Sequence, residues 1–134
     1  MEMQWNEDDL FYVCTMIEFV ARETHNRSSD VVSMLPDKAL KHQLKVACVN
    51  HCLSFEQVCD EWIEEYGITK GIEDNSSRNK YEKASVTTVG REYQELILDV
   101  MECRENVIEA IRKVYDSLDY KCCVHEAEML SERI

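Results

Sequence analysis

Three glycines and one proline are spread over 134 residues, and this scarcity constrains the fold more than any other feature. A sheet-rich domain needs many tight turns, each wanting a residue that tolerates a positive φ or presets φ. Helices need such residues only at their ends. The chain is therefore expected to be all-α, a single-domain helical bundle of about five to six helices spanning residues 1–134. A chain of this length suits one core, with roughly two-thirds of the unfolded surface buried on folding. An apolar fraction of 45% beside 31% charged residues fits a globular domain rather than a disordered or fibrous chain.

Charge narrows the partners. A net charge of −12, from 27 acids and 15 bases, opposes binding to the polyanionic backbone of nucleic acid. No apolar run approaches the roughly 20 residues needed to cross a bilayer. The opening residues Met1 to Leu10 are acidic, unlike the basic start of a signal peptide. Neither a nucleic-acid nor a membrane partner is expected, and the expected location is cytoplasmic. Seven cysteines, an odd number with no signal peptide, then read as free thiols of a reducing compartment. The acidity is uneven: residues 1–67 carry 13 acids and 5 bases, residues 68–134 carry 14 and 10.

Apolar periodicity divides the chain into a helical half at 1–68, a polar loop at 69–85 and a second helical half at 86–134. Asn6 caps a first helix with Glu7, Asp8 and Asp9 in its first turn, where the helix dipole favours negative charge. Leu10, Val13, Cys14, Ile17, Val20 and Ala21 recur at helical spacing, and Phe11, Tyr12, Met16 and Phe19 widen the stripe, so this helix is expected to be central. Ser28 and Ser29 can cap a short helix that Pro36 stops. A third helix follows from about Asp37 to Val49, with Leu40, Leu44, Ala47 and Cys48 inward and Lys38, Lys41 and Lys45 outward. Ser54 and Gln57 form a capping-box pattern before Phe55, Val58, Cys59, Trp62, Ile63 and Tyr66, and Gly67 with Ile68 predicts a Schellman-type stop.

The loop, TKGIEDNSSRNKYEKAS, shows no sustained period. The period returns from Thr87 or Thr88 through Val89, Tyr93, Ile97, Val107, Ile111, Val114 and Leu118. Arg104 on the apolar stripe and Asn106 suggest a break, but no Gly or Pro interrupts 91–130, which favours one long helix bent near Cys103 to Asn106. A last helix is expected from about Asp119, carrying Cys122, Val124, Met129 and Leu130.

Three constellations carry chemistry. Metal-ligand residue types gather at His42, Cys48, His51, Cys52 and Cys59, from which Cys48, His51 and Cys52 with Cys59 or His42 could make four ligands. The spacing lacks the paired pattern of zinc sites, so a half-buried His51 holding the turn before Ser54 is the competing reading. The vicinal Cys122 and Cys123 are read as one buried and one exposed thiol, with His125 and Lys121 as the nearby groups that could lower a thiol pKa. No His-Glu-x-x-His, Gly-x-Ser-x-Gly or phosphate-loop motif occurs, so no catalytic residue and no cofactor is expected.

The third constellation is the outer face of the helix at 55–66. Glu56, Asp60 and Glu64 lie at i, i+4 and i+8, flanked by Glu61 and Glu65. Like charges at this spacing destabilise a helix by about 0.2–0.5 kcal/mol per pair, and Glu64 and Glu65 sit at the end where negative charge is unfavourable. A basic partner surface explains the excess; a solvated face that keeps the chain soluble is the alternative. Two further readings are a metal- or thiol-dependent protein using Cys48, His51 and Cys52, and a homodimer pairing the stripes of Leu10 to Ala21 or Val89 to Leu118.

The stretches FYVCTMIEFVARET, SSDVVSML and VNHCLSFEQVCDEWIEEYGI, with the later TTVGREYQELILDV and VIEAIRKVYDSL, resemble a family of small helical bacterial proteins described as domains of unknown function. Some of its relatives are encoded beside ADP-ribosyltransferase-like proteins. The resemblance implies an antitoxin- or immunity-like role toward a protein partner and assigns no residue a task. The segment after Leu118, with Cys-Cys-Val-His, departs from the family pattern.

Overall fold

Helix α1, Glu7–Thr24, starts where a reciprocal cap satisfies its first N–H groups. The Asn6 side chain accepts from the Asp9 N–H and the Asp9 carboxylate accepts from the Asn6 N–H, both at 2.9 Å. The computed structural model describes residues 5–72 and 84–117. Among these it is all-α, with six α-helices, one 3-10 turn and no strand. No helix among them is long and apolar enough to cross a membrane.

The width of α1's apolar surface decides the architecture. Leu10, Val13, Cys14, Met16, Ile17, Val20 and Ala21 are all buried, so the helix must be covered from several sides. It packs against α2 (Ser28–Met34), α3 (Asp37–Asn50), α4 (Phe55–Tyr66) and, most extensively, α5 (Val86–Val100). Helix α6 (Val107–Ser117) closes the bundle against α5, α2 and α3. Tyr93 of α5 and Tyr115 of α6 stack in the core with ring centroids 4.2 Å apart. Gly90 permits a close approach of α5 to α1, directly over Thr15.

The ends follow local rules, with two differences from expectation. Gly67 takes the left-handed conformation at φ 61°, the Ile68 N–H donates to the Ile63 carbonyl at 3.2 Å, and Ile68 is buried, completing the Schellman stop. The N-cap of α2, however, is Arg27 rather than a serine. Ser28 is drawn inward instead, its hydroxyl donating to the buried Glu18 carboxylate at 2.5 Å. Cys48 is exposed rather than inward, because α3 buries the row Ala39, Leu40, Gln43, Leu44 and Ala47, and position 48 falls past its edge.

The second half corrects the expectation of one long helix. Helix α5 ends at Val100, Met101 and Cys103 are extended, and Arg104–Asn106 form a 3-10 turn before α6 starts. Tertiary bonds stabilise this reversal without glycine or proline. The Trp5 indole N–H donates to the Arg104 carbonyl at 3.3 Å, while the Arg104 guanidinium donates to the Trp5 carbonyl and lies 4.2 Å over the Trp5 ring. Arg112 then clamps α6 to the α2–α3 junction, donating to Asp37 at 2.7 Å, to the Val32 carbonyl at 3.2 Å and to the Leu35 carbonyl. The expected last helix, with Cys122, Cys123 and His125, lies outside the described residues.

The loop is tied down where it leaves α4. The Asn26 amide donates to the Thr69 carbonyl and the Gly71 N–H to the Thr24 carbonyl, each at 2.8 Å. Elsewhere Glu92 Oε2 on α5 is among the buried polar atoms that have no hydrogen-bond partner within the described residues. Burial, and to a lesser degree Glu95, raises the Glu92 carboxyl above its ordinary value of 4.5. A raised carboxyl favours the fold when protonated, so its ionisation costs stability above the folded pKa, and the cost is relieved as pH falls toward 4.5. Glu92→Gln is accordingly expected to stabilise the fold at pH 7 by up to about 1 kcal/mol, the side chain being only partly buried. The gain should shrink near pH 4.5 in parallel urea titrations, and an unchanged gain there would remove the ionic cause.

Candidate functional site

Helix α4 is amphipathic in the strict sense that its inner row, Val58, Cys59 and Trp62, is buried while its acids are not. The Ser54 hydroxyl accepts from the Gln57 N–H at 3.1 Å, which sets the register, so Glu56, Asp60, Glu61, Glu64 and Glu65 all emerge exposed. None of the five forms an ion pair with a described residue. The structure adds an acid that helical spacing within α4 could not reveal: Glu23, exposed near the end of α1, lies close enough to act on Cys59.

The field of this face registers on buried and half-buried groups beneath it. Burial pushes the Cys59 thiol up to about 11, with Glu23, Asp60 and Glu56 adding to the shift. Burial and then Glu61 raise the Tyr12 hydroxyl to about 12. Tyr66 is raised by burial and by Glu65, and held back by the Gln43 amide, which donates to its hydroxyl at 2.7 Å. The face is a concentration of negative charge left to solvent.

No three of the metal-ligand candidates are brought together. His42 is exposed midway along α3 and Cys48, His51 and Cys52 are exposed around its end, whereas Cys59 is buried in α4. Among the described residues no three His, Cys, Asp or Glu side chains are grouped to hold an ion. His51 is not the anchor of the α3–α4 turn either. It is exposed, and the Tyr12 hydroxyl holds the turn instead, donating to the Asn50 carbonyl at 3.1 Å.

Among the described residues, most of both apolar stripes offered for self-pairing is buried inside the chain, although Val100 at the end of α5 is exposed. Leu10, Val13, Ile17 and Val20 are fully or almost fully buried, as are Val89, Tyr93, Ile97, Ile111 and Tyr115. One shallow cleft of about 100 Å³ lies at the α5–α6 elbow, between Val100, Met101, Glu109 and Lys113. Ligand pockets usually run to roughly 300–1,000 Å³, so this cleft is small beside them.

Two residues that carry the architecture escaped the sequence reading. The buried Glu18 pairs at 2.8 Å with the half-buried Arg22, which also donates to the Ala84 carbonyl at 2.9 Å, tying α1 to the start of α5. The signal was present: Glu18 interrupts the apolar stripe of α1 and has a base at i+4. No protein-family model, curated protein or solved structure matches the chain.

Proposed function

We propose that the protein is a non-enzymatic interaction module of the bacterial cytoplasm that docks a basic protein surface onto the acidic face of α4. One observation carries the reading: five exposed acids on one helix, joined by Glu23, that make no ion pair with any described residue. Two effects local to the helix argue against so many acids there, namely like-charge spacing and the dipole at Glu64 and Glu65. Exposed charges of one sign steer association with an opposite surface and set its salt dependence. The family resemblance supplies the class of partner, an enzyme encoded beside the chain toward which this protein acts as an antitoxin or immunity factor.

The test is co-expression with the neighbouring gene product, followed by titration of the purified pair. Asp60→Lys with Glu64→Lys is expected to weaken binding about 10- to 100-fold, by 1.4–2.8 kcal/mol, chiefly through a slower association rate. Raising ionic strength from about 0.05 to about 0.5 M, which shortens the Debye length from about 14 to about 4 Å, should weaken the wild type far more than the double variant. Binding indifferent to both charge reversal and salt would assign the contact to another face.

A further inference from the structure

Of the five cysteines among the described residues, Cys14 and Cys59 are buried, and burial pushes their thiols up to about 12 and about 11. Such thiols are poor ligands near neutral pH, because the thiolate is the reactive form. Cys48, Cys52 and Cys103 are exposed. Cys103 belongs to the α5–α6 linker, whereas Cys48 and Cys52 stand four positions apart across the end of α3.

The backbone keeps winding between that pair. His51 has right-handed helical dihedrals, and its N–H donates to the Ala47 carbonyl at 2.9 Å. The Cys52 N–H donates to the Val49 carbonyl at 3.1 Å and the Leu53 N–H to the Asn50 carbonyl at 2.9 Å. Cys52 therefore sits about one turn beyond Cys48, the last step being wound by tighter i→i−3 bonds, so the two thiols lie on adjacent turns of one side of the chain.

This turn is also anchored to the core. The Tyr12 hydroxyl donates to the Asn50 carbonyl at 3.1 Å, and the Asn50 amide donates to the buried Gln43 at 3.2 Å. Two exposed thiols on a fixed turn make a preorganised bidentate sulfur donor, which loses little freedom on closing a chelate ring. No third His, Cys, Asp or Glu joins them among the described residues, so the tetrahedral set that zinc prefers is not built. Soft centres content with two thiolates fit the donor set better.

We propose that Cys48 and Cys52 form a chelating dithiol site for trivalent arsenic compounds. Binding forms two As–S bonds and breaks the arsenic–oxygen bonds they replace. The two thiol protons leave with oxygen as water, and arsenic stays trivalent, so no oxidant or reductant takes part. This site uses none of the residues of the α4 face and stands or falls separately from it.

The test uses the full chain carrying Cys103→Ser, Cys122→Ser and Cys123→Ser, so that no other exposed or vicinal thiol competes. Titration with phenylarsine oxide, followed by intact mass and a free-thiol count, is expected to give one arsenical per chain and the loss of two titratable thiols. Adding Cys48→Ser or Cys52→Ser should weaken binding about tenfold or more, because the second bond is then no longer intramolecular. Both positions are exposed, so serine there leaves the core intact. Undiminished binding in either serine variant, an adduct that leaves both thiols titratable, or no adduct at all would overturn the proposal.

Discussion

Replacing Arg22 with methionine is expected to cost the fold about 3–5 kcal/mol, because it leaves the Glu18 carboxylate buried without its nearest cation. The Glu18 side chain is 1% exposed, and Arg22 reaches it at 2.8 Å. Methionine keeps the length and apolar stem of arginine, so packing changes little and the charge effect dominates. The Ser28 hydroxyl would remain on the carboxylate, a neutral donor that is weaker than the lost charged one. The loss also releases the Ala84 carbonyl, and with it one attachment between α1 and the start of α5.

Against a total stability of roughly 5–15 kcal/mol this change would leave the protein close to unfolding at moderate temperature. Urea unfolding of Arg22→Met, of Glu18→Met and of the double variant separates the causes. Removing both charges should recover most of the loss, since an apolar pair of similar volume needs no compensation. A double variant as unstable as Arg22→Met would show that Glu18 is compensated by other groups in the single variant.

Gly90→Ala tests a conflict between local and tertiary preference. In an isolated helix alanine is favoured over glycine by about 1 kcal/mol. Here an added Cβ would lie 2.9 Å from both the Cα and the N of Thr15, and closer still to the Thr15 hydroxyl. That hydroxyl donates to the Phe11 carbonyl at 2.9 Å, and the other two atoms are backbone, so relief requires α1 and α5 to separate. Overpacking of this kind costs about 3 kcal/mol, which after the propensity gain leaves a net loss of about 2 kcal/mol. Thermal unfolding should therefore show a lower midpoint. A more stable alanine variant would mean that the α1–α5 contact yields freely.

The first half of the fold was legible because its signals are local. Asn6 with Asp9, Ser54 with Gln57, and Gly67 with Ile68 act within a few residues of themselves, and each cap forms where the spacing places it. The second half was misread for the converse reason. The reversal after Val100 depends on Trp5 and Arg104, residues 99 positions apart, and no window along the chain relates them. Position 48 shows the same limit at smaller scale: a helical stripe has a direction but no sharp edge until a neighbouring helix covers part of it.

The acidic face of α4 is where the two kinds of information meet. Sequence alone determined that the chain would be helical, where most helices begin and end, and that five acids share one side of one of them, because capping, periodicity and charge spacing are properties of short segments. Only the tertiary structure decided that Glu23 joins those acids, that no three of the offered metal ligands assemble, that most of the apolar stripes is spent internally, and that Cys48 and Cys52 remain as an exposed pair. Those outcomes depend on which helix covers which, and that is set by side-chain volume and long-range bonds such as Gly90 over Thr15 and Arg112 on the Val32 and Leu35 carbonyls.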